Sequence, residues 1–478
     1  MLPIHQIIIL WHHLLIVLED SIFIVIQLWF KRGLYIVEFG ASGMKVVVVG
    51  LGYVGLTLAL TLADVGFKVE GVDKDKKKID ALRNEIPTLY ESNINQILTS
   101  NLSAGKISFS ENISKSDKNV TYIISVGTPI NEQTSEPLLE NLKKSVLEVA
   151  KNLKKEDLVI LRSTVPVGTT RTLILKILED ESNLKVSRDF YLASAPERTL
   201  QGHALQELRQ LPQIIGGIDE ASVEKTSSIF NKITETVVKV SSLEAAELIK
   251  LFDNSYRDIT ISIGNLYGKI CKKLNLDAKE VIQAANYGYS RNKILFPGAG
   301  VGGGCLVKDP YLLIASINQS VNLDLIKISR QINDSMITDT IELIEDSFRK
   351  TRKNISGSKI LVLGFAFKGF PQTDDIRFSP TVHVIEHLLK SNAKLYGHDP
   401  VVPEKSISEL GIKFIHKIYD EVDYDVILIM NNNPEYKNLD FKRLKHNESL
   451  LVIDGWYLYD KQTLRGMGVD YFALGSKN

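Results

Sequence analysis

The chain has 478 residues, of which 44% are hydrophobic and 24% charged, the balance of a globular protein with more than one domain. Because 57 Lys and Arg balance 57 Asp and Glu, the formal net charge is zero, which argues against a nucleic-acid-binding protein. The only cysteines, Cys271 and Cys305, exclude a disulfide-stapled fold and a cysteine-rich zinc module.

Residues 7–30 form a strongly apolar segment that a Lys-Arg pair follows. Its length is that of a membrane span, but Glu19 and Asp20 lie inside it, where a charge costs about 2.5–3.5 kcal/mol. Three interpretations stay open: an upstream start codon with Met44 as the true first residue, a membrane or interfacial anchor, and a packing extension. We expect residues 1–43 to lie outside the fold and the protein to be cytoplasmic, with membrane contact only if the segment is an anchor.

A dinucleotide-binding unit is predicted directly after this segment. Residues 45–49 predict a buried parallel strand, residues 54–65 a helix, and residues 68–72 a second strand that ends at Asp73. The turn between the first strand and the helix consists of Gly50, Leu51, Gly52, Tyr53, Val54 and Gly55. Its glycines permit a tight turn, approach to a pyrophosphate and close helix packing. A carboxylate at Asp73 favours NAD over NADP, although Lys74 weakens that preference.

The pattern continues as a doubly wound α/β sheet with strands predicted at 120–126, 157–161 and 190–194. Each strand precedes a loop of small, polar or Pro residues, at 127–129, 163–169 and 195–198. Ligands bind beyond the carboxyl ends of such strands, so these loops should line the cofactor and the reacting carbon.

A long helix is predicted over residues 242–275, about 50 Å in length, which would join two domains or form a subunit interface. Lys250 and Asn254 are spaced i, i+4 and share one face, which is either a solvated face or a polar pair aimed at a cleft. Cys271, on the same helix, is interpreted as small buried filler.

Residues 297–310 contain five glycines, which favours backbone brought close to a ligand. Cys305 follows these glycines, with Lys308 and Asp309 just beyond it. Because a nearby cation makes a thiolate available, this pattern favours a nucleophilic cysteine.

A second α/β unit is predicted from residue 359 onward. Its strands are predicted at 359–363, 394–397, 425–430 and 450–453, with a helix at 380–390. Its first turn lacks the full glycine fingerprint, but Lys368 and Arg377 could neutralise phosphate. His383 and His387 match the inverted zincin pattern HxxEH. Since no third ligand is identifiable, we expect an ordinary amphipathic helix and no metal.

From Met44 to near residue 465 the chain resembles the UDP-glucose/GDP-mannose dehydrogenase family of nucleotide-sugar 6-dehydrogenases. The motifs that carry the resemblance are GLGYVGL (50–56), VGTP (126–129), STVPVGTT (163–170), APERTLQG (195–202), ELIKLFDNSYRD (247–258), PGAGVGGGCLVKDP (297–310) and GFAFKG (364–369). The resemblance implies an α/β fold with two Rossmann-like doubly wound domains joined by a long central helix and a helical middle domain. The implied domains are an NAD-binding Rossmann domain (44–241), a central helical dimerisation domain with the cysteine loop (242–335) and a UDP-sugar-binding Rossmann-like domain (336–478).

The resemblance also implies a four-electron oxidation of a sugar C6 alcohol to a uronate with two NAD+. Cys305 would be the nucleophile, forming a thiohemiacetal and then a thioester. Lys250 and Asn254 would stabilise the oxyanion, Asp309 would help proton transfer through water, and Glu197 would assist hydrolysis. Implied cofactor contacts are Gly50, Gly52, Tyr53, Val54, Gly55, Asp73, Thr128 and Lys308. Thr128 would also sit near the reacting water. Implied substrate contacts are Glu197, Arg198, Lys250, Asn254, Arg291, Lys368 and Arg377, with Arg291 reaching a phosphate across a homodimer.

The sequence Pro196-Glu197-Arg198, with Gly202 and Glu207 after it, is similar to the N-acetylhexosamine branch of this family. UDP-N-acetyl-D-mannosamine is therefore the first expected substrate, for surface polysaccharide or glycan biosynthesis, and UDP-N-acetylglucosamine and UDP-glucose are the alternatives. Two other classes stay open. One is a one-step dehydrogenase or epimerase-like NAD protein with a structural Cys305. The other is a non-catalytic, membrane-tethered nucleotide-binding protein.

Overall fold

A computed structural model describes residues 44–115, 119–317, 321–419, 423–444 and 450–476, together with the backbone at 7–10, 13–18 and 21–25. The chain divides into two units, Met1–Gly43 and Met44–Asn478. The first unit contains the antiparallel strands β1 (Ile7–Leu10), β2 (His13–Leu18) and β3 (Ser21–Val25), paired in that order. Ile, Val and Leu dominate these strands, and β-branched residues favour extended backbone. Within the described ranges, no helix has both the length and the apolar character needed to cross a membrane. The expectation that residues 1–43 lie outside the fold stays a prediction.

The second unit begins with an eight-stranded sheet. Its strands are β4 (Lys45–Val49), β5 (Lys68–Val72), β6 (Ile107–Ser110), β7 (Val120–Ile124), β8 (Leu158–Leu161), β9 (Tyr191–Ser194), β10 (Gln213–Gly217) and β11 (Val237–Val240). They are ordered β11-β10-β9-β8-β7-β4-β5-β6. All neighbours are parallel except β9 and β10, which pair antiparallel. The central strands are buried on both faces, which explains their unbroken apolar runs.

Helices cover this sheet and complete the predicted doubly wound arrangement. They are α1 (Tyr53–Asp64), α2 (Lys76–Arg83), α3 (Ile94–Ser103), α4 (Glu140–Asn152), α5 (Leu175–Ser182), α6 (Ala204–Gln210) and α7 (Glu220–Phe230). A π-helical turn, Thr170–Ile174, leads into α5.

The middle of the chain is helical, as predicted. It contains α8 (Leu243–Lys273), α9 (Ala278–Asn286), α10 (Asp309–Ser316) and α11 (Asp324–Lys350). The side chain of Ser242 caps α8 by accepting the Ala245 N–H at 3.1 Å. α11, which the sequence reading did not identify, packs along α8 through a buried ion pair between Arg330 and Asp258. Cys271 is buried on α8 and contacts apolar residues of α9, in agreement with its interpretation as filler.

A second, entirely parallel sheet follows. Its strands are β12 (Lys359–Leu363), β13 (Lys394–His398), β14 (Lys413–Phe414), β15 (Val426–Ile429), β16 (Leu450–Asp454) and β17 (Val469–Ala473), ordered β14-β13-β12-β15-β16-β17. Its helices are α12 (Pro380–Lys390), α13 (Glu404–Ser408), α14 (Phe441–Leu444) and α15 (Lys461–Gly466), with a 3-10 turn at Pro434–Asn438. The predicted fold class, two Rossmann-like sheets with a helical region between them, is confirmed. The exact domain boundaries stay a prediction.

The HxxEH residues lie on α12, which buries Val384, Ile385 and Leu388 against the second sheet. His387 faces away from this core and lies 3.2 Å from a carboxylate oxygen of Glu345. Among the described residues, no cluster of three or more His, Cys, Asp or Glu side chains could hold a metal ion.

Candidate active site

The Gly-rich turn after β4 leaves room for a pyrophosphate. Gly50 has a positive φ of 93°, and a Cβ on Gly55 would lie 1.8 Å from the Gly50 carbonyl oxygen. A Cβ on Gly52, in contrast, would meet no atom within 4 Å, so the backbone is open on that side. Tyr53 and Val54 form the first turn of α1, where helix N–H groups favour an anion. The turn therefore fits a dinucleotide.

Asp73 places an ionised carboxylate beside this turn. Its Oδ2 accepts hydrogen bonds from the Leu51 N–H at 2.9 Å and from Lys78 Nζ at 2.7 Å. Burial by itself raises the pKa of Asp73, but these hydrogen bonds bring it below its ordinary value. Such an acceptor fits a ribose hydroxyl and repels a 2′-phosphate. Lys74 donates to Asn141, and the cation that pairs with Asp73 is Lys78.

The loops after β7, β8 and β9 meet at one edge of the first sheet, and their contact with the cofactor stays a prediction. Thr128 is buried and donates to the Thr164 carbonyl oxygen at 2.5 Å. Arg162 and Glu197 are both buried and form an ion pair of 3.0 Å, and Arg162 also donates to the Ala195 carbonyl oxygen. Burial raises the pKa of Glu197, but the charges of Arg162 and Lys250 and the hydrogen bonds from Thr199 together outweigh it, and the pKa is lowered. The Glu197 carboxylate is therefore ionised at neutral pH.

Lys250 and Asn254 are both buried on one face of α8, so the alternative of a solvated face is excluded. Asn254 Nδ2 donates to Asp309 Oδ2 at 2.5 Å, across the start of α10. The second Asp309 oxygen pairs with Lys308, whose Nζ lies 3.5 Å from Thr128 Oγ1. One connected network thus joins α8, α10 and the loop after β7.

Cys305 lies directly before α10 and has an exposed side chain. Its carbonyl oxygen accepts the N–H groups of Lys308 at 3.1 Å and Asp309 at 2.9 Å, which fixes the backbone at the thiol. The charges of Lys368 and Arg377 interact with that of Cys305.

Four of the five glycines before Cys305 pack against other parts of the protein, and the expected approach of this loop to a ligand stays a prediction. A Cβ on Gly303, whose φ is 82°, would lie 2.9 Å from the Phe367 ring. A Cβ on Gly304 would lie 3.2 Å from Cζ of Arg377, and the Gly303 N–H donates to the Arg377 carbonyl oxygen. The cysteine loop needs these glycines because the third part of the chain lies directly against it.

Lys368 and Arg377 both lie near the cysteine loop but face different neighbours. Lys368 Nζ donates to the Gln201 carbonyl oxygen at 2.7 Å, and burial lowers the pKa of Lys368 to about 8. Arg377 forms a bidentate pair with Asp375, at 2.8 and 2.7 Å, and lies 5.7 Å from the centre of the Tyr53 ring. Arg377 is thus next to the dinucleotide turn.

A cavity of about 370 Å³ opens beside α8. Its lining consists of Arg198, Leu211, Lys250, Phe252, Asp253, Asn254, Tyr256 and Arg257. Arg198 Nε donates to Asp253 at 2.8 Å within it. Arg291 is exposed and stacks 4.8 Å from the Tyr289 ring, and within the described part of the chain it is not joined to the other candidate residues.

Two buried charged residues of this region were not predicted from the sequence, Arg162 and Glu247. Arg162 follows the buried strand β8, and a cation at such a place requires a partner, which is a usable signal. Glu247 on α8 accepts the N–H groups of Gly168 at 2.6 Å and Thr170 at 2.8 Å, and so holds the loop after β8. Burial raises the pKa of Glu247. No local sequence pattern predicts this role of Glu247.

Comparison with known proteins gives matches along most of the chain. Residues 44–234 match the NAD binding domain of the UDP-glucose/GDP-mannose dehydrogenase family, residues 244–335 its central domain and residues 361–461 its UDP binding domain. A UDP-N-acetyl-D-mannosamine dehydrogenase of Pyrococcus horikoshii is 32% identical over 413 residues, which are 86% of this chain and 95% of that relative.

Solved structures agree with these matches. The structure of the UDP-D-ManNAc dehydrogenase from Pyrococcus horikoshii superposes with a TM-score of 0.79 at 30% identity, covering 90% of this chain and 99% of that one. A UDP-glucose dehydrogenase from Pyrobaculum islandicum gives a TM-score of 0.78 at 26% identity, covering 92% and 99%. The similar TM-scores mean that the fold does not distinguish the two sugars.

Proposed function

The chain belongs to the UDP-glucose/GDP-mannose dehydrogenase family and is an NAD-dependent dehydrogenase, and from this premise we propose its substrate and mechanism. The predicted cofactor, NAD, and the predicted oxidoreductase class are confirmed. The chain acts on a UDP-sugar. We propose that the sugar is UDP-N-acetyl-D-mannosamine and that its C6 alcohol is oxidised to the carboxylate through a covalent intermediate on Cys305.

One observation carries the mechanism. The exposed Cys305 lies just before α10, whose Asp309 carboxylate accepts the Asn254 amide, and Lys250 lies one turn before Asn254 on the same buried face of α8. A nucleophile, two donors for a developing oxyanion and a buried carboxylate for proton transfer are the groups that acyl chemistry at a thiol requires.

The covalent step makes the second of the two oxidations possible. Removing hydride from the alcohol leaves an aldehyde, which has no carbinol hydrogen for a second oxidation. Adding the Cys305 thiolate to the aldehyde forms a C–S bond and, after protonation, a thiohemiacetal. Loss of a second hydride and a proton gives the thioester, and water then releases the carboxylate and the thiol. NAD+, held by the Gly-rich turn and Asp73, would supply the hydride acceptor for both oxidations. The balance is one alcohol, two NAD+ and one water to one carboxylate, two NADH and three protons.

Four residues of the chain would stabilise charge and transfer protons during these steps. Lys250 and Asn254 stabilise the oxygen that becomes negative when sulfur or water adds to the carbonyl carbon. Asp309, held by Asn254 and Lys308, orients the water and relays its proton. Glu197 is ionised by its pairing with Arg162 and assists hydrolysis as an anion near Lys250.

The proposed sugar has separate support. The relative that is 32% identical over most of this chain is named a UDP-N-acetyl-D-mannosamine dehydrogenase. Arg198 is part of the Pro-Glu-Arg sequence and lines the cavity together with Lys250. UDP-N-acetylglucosamine and UDP-glucose are the alternatives, and the product would serve polysaccharide or glycan synthesis.

A homodimer is part of the proposal. α8 exposes a stripe of apolar side chains, spaced three, four or seven residues apart, that ends at the residue after the helix: Phe252, Tyr256, Ile263, Leu266, Ile270 and Leu274. Such a seam supports pairing with α8 of a second copy, since a monomer rarely exposes so much contiguous apolar surface. The exposed Arg291 would then reach the partner's substrate phosphate.

The dimer is tested by sedimentation of the full chain. We expect a dimer for the wild type and a monomer for Ile263→Lys, because the charge would lie in the middle of the stripe. Met467→Lys changes an equally exposed apolar residue elsewhere and should stay dimeric. A monomeric wild type would contradict the proposal.

The reaction is tested with a panel of UDP-sugars. We expect UDP-N-acetyl-D-mannosamine to give the highest kcat/KM, with two NADH for each uronate identified by mass. Cys305→Ala should form no uronate, and Cys271→Ala, at the other cysteine, should be fully active. One NADH with free aldehyde as the product, or uronate from Cys305→Ala, would refute the covalent step.

A further inference from the structure

A hydrogen bond joins the dinucleotide turn to the third part of the chain. Tyr53 opens α1 directly after the open glycine of the turn, and its hydroxyl donates to the Asp374 carboxylate. The same Asp374 oxygen accepts the Tyr90 N–H at 3.2 Å, and the Tyr90 hydroxyl donates to Gln372 at 3.1 Å. Both contacts cross from the first sheet's domain to the loop after β12.

This loop continues to the cysteine. Asp375, the next residue, holds the Arg377 guanidinium at two points and accepts the Arg377 N–H at 3.0 Å. The Arg377 carbonyl oxygen accepts the Gly303 N–H at 2.9 Å, and its guanidinium lies against Gly304. Residues 372–377, which we call the bridging segment, therefore contact both the dinucleotide turn and the loop of the proposed nucleophile.

The Tyr53 hydroxyl is suited to remain a donor here. Its burial and its hydrogen bond to Asp374 both raise the pKa of Tyr53 far above the ordinary value. The Arg377 guanidinium also lies over the Tyr53 ring, so a change at this tyrosine reaches Arg377 directly. The two contacts hold the bridging segment against the dinucleotide turn.

In the proposed reaction two hydrides leave in succession, so reduced dinucleotide is exchanged while the sugar stays attached to Cys305. The dinucleotide site and the sugar site are therefore occupied together during each turnover.

We propose that the hydrogen bond from Tyr53 to Asp374 is a latch that couples dinucleotide affinity to UDP-sugar affinity, with both residues acting as positioning residues. The inference rests on the proposed function, in that one reaction uses both ligands. Forming this hydrogen bond orders the bridging segment, which costs conformational entropy. When one ligand has already ordered the segment, the other ligand binds without that loss of entropy. By linkage, each ligand must then tighten the other by the same factor.

The test measures binding rather than turnover. NADH is titrated by its fluorescence into the full chain, with and without saturating UDP, and UDP is titrated by calorimetry with and without NADH. For the wild type we expect both dissociation constants to fall by the same factor, of about fivefold or more. Tyr53→Phe and Asp374→Ala each remove the latch, and the factor should fall below about twofold.

Two variants separate a latch from a merely structural contact. Asp374→Asn keeps an oxygen acceptor and should retain most of the coupling. Tyr191→Phe removes a tyrosine hydroxyl that donates to the Glu156 carboxylate at 3.2 Å on an exposed surface, and should leave the coupling unchanged. Wild-type coupling in Asp374→Ala, or independent binding of the two ligands to the wild type, would overturn the latch. Failure of the wild type to bind either NADH or UDP would instead overturn the proposed function.

Discussion

Arg162 holds the only formal positive charge bonded to the Glu197 carboxylate among the described residues, and replacing it by methionine tests the electrostatics of the site. Both side chains are almost completely buried. Met has nearly the length of Arg and can fill the space beside Phe230, over whose ring the guanidinium lies at 5.1 Å. The variant therefore removes the charge while it largely preserves the packing.

The expected cost follows from the burial. Removing one partner of a buried ion pair typically destabilises a protein by about 3–5 kcal/mol, because the other charge is left without compensation. Glu197 keeps the Thr199 N–H and the more distant Lys250, so we expect the lower part of that range, about 3 kcal/mol. With Arg162 removed, burial dominates and the pKa of Glu197 rises.

The pH dependence of stability should change sign. In the wild type the pKa of Glu197 is lower in the folded protein than the unfolded value of about 4.3. The pair therefore stabilises above that pH, and its contribution is lost as pH falls through the folded pKa. In Arg162→Met the folded pKa lies above the unfolded one, so stability should increase as pH falls from about 8 to about 5.

Urea unfolding of the wild type, Arg162→Met, Glu197→Gln and the double variant at several pH values measures these differences. The double variant removes both charges, so we expect it to be more stable than Arg162→Met at pH 8. If Arg162→Met were as stable as the wild type at pH 8, or lost stability on acidification in parallel with it, the pair would not have the assigned role.

Three further predictions concern single side chains. Glu91 accepts the N–H groups of Gly202 and Ala204, and burial raises its pKa to about 7, so its protonated form contributes stability below about pH 4.5 that is lost as pH rises through 7. Glu91→Gln should flatten this part of the pH–stability curve, and an unchanged slope in urea unfolding would contradict it. Lys250→Met should lower kcat by about 10²–10³ while thermal unfolding changes little, because Lys250 forms no hydrogen bond with any described residue. A large loss of stability would show a structural role instead. Asp73→Asn should lower the ratio of kcat/KM for NAD to that for NADP by about tenfold, and an equal ratio would refute its assignment.

The sequence by itself determined the features that short windows encode. The strand, glycine turn, helix and Asp73 of the dinucleotide unit fall within thirty residues, and the structure forms them as predicted. α8 and the strand that opens the second sheet were equally recognisable, because helical spacing and buried apolar runs are local patterns. The nucleophile candidate was recognisable because five glycines precede a single cysteine that Lys308 and Asp309 follow.

Only the tertiary structure decided how charged groups are paired. The cation beside Asp73 is Lys78 rather than Lys74, because α2 turns Lys78 back toward the strand end. Arg377 lies next to Tyr53, although the two are far apart in the chain, so a residue assigned from sequence to the sugar also adjoins the cofactor turn. The pairing of Arg162 with Glu197 joins the ends of two different strands. Pairs of this kind depend on which loops the folded sheet brings together. The spacing of neighbouring residues in the sequence does not predict which loops these are.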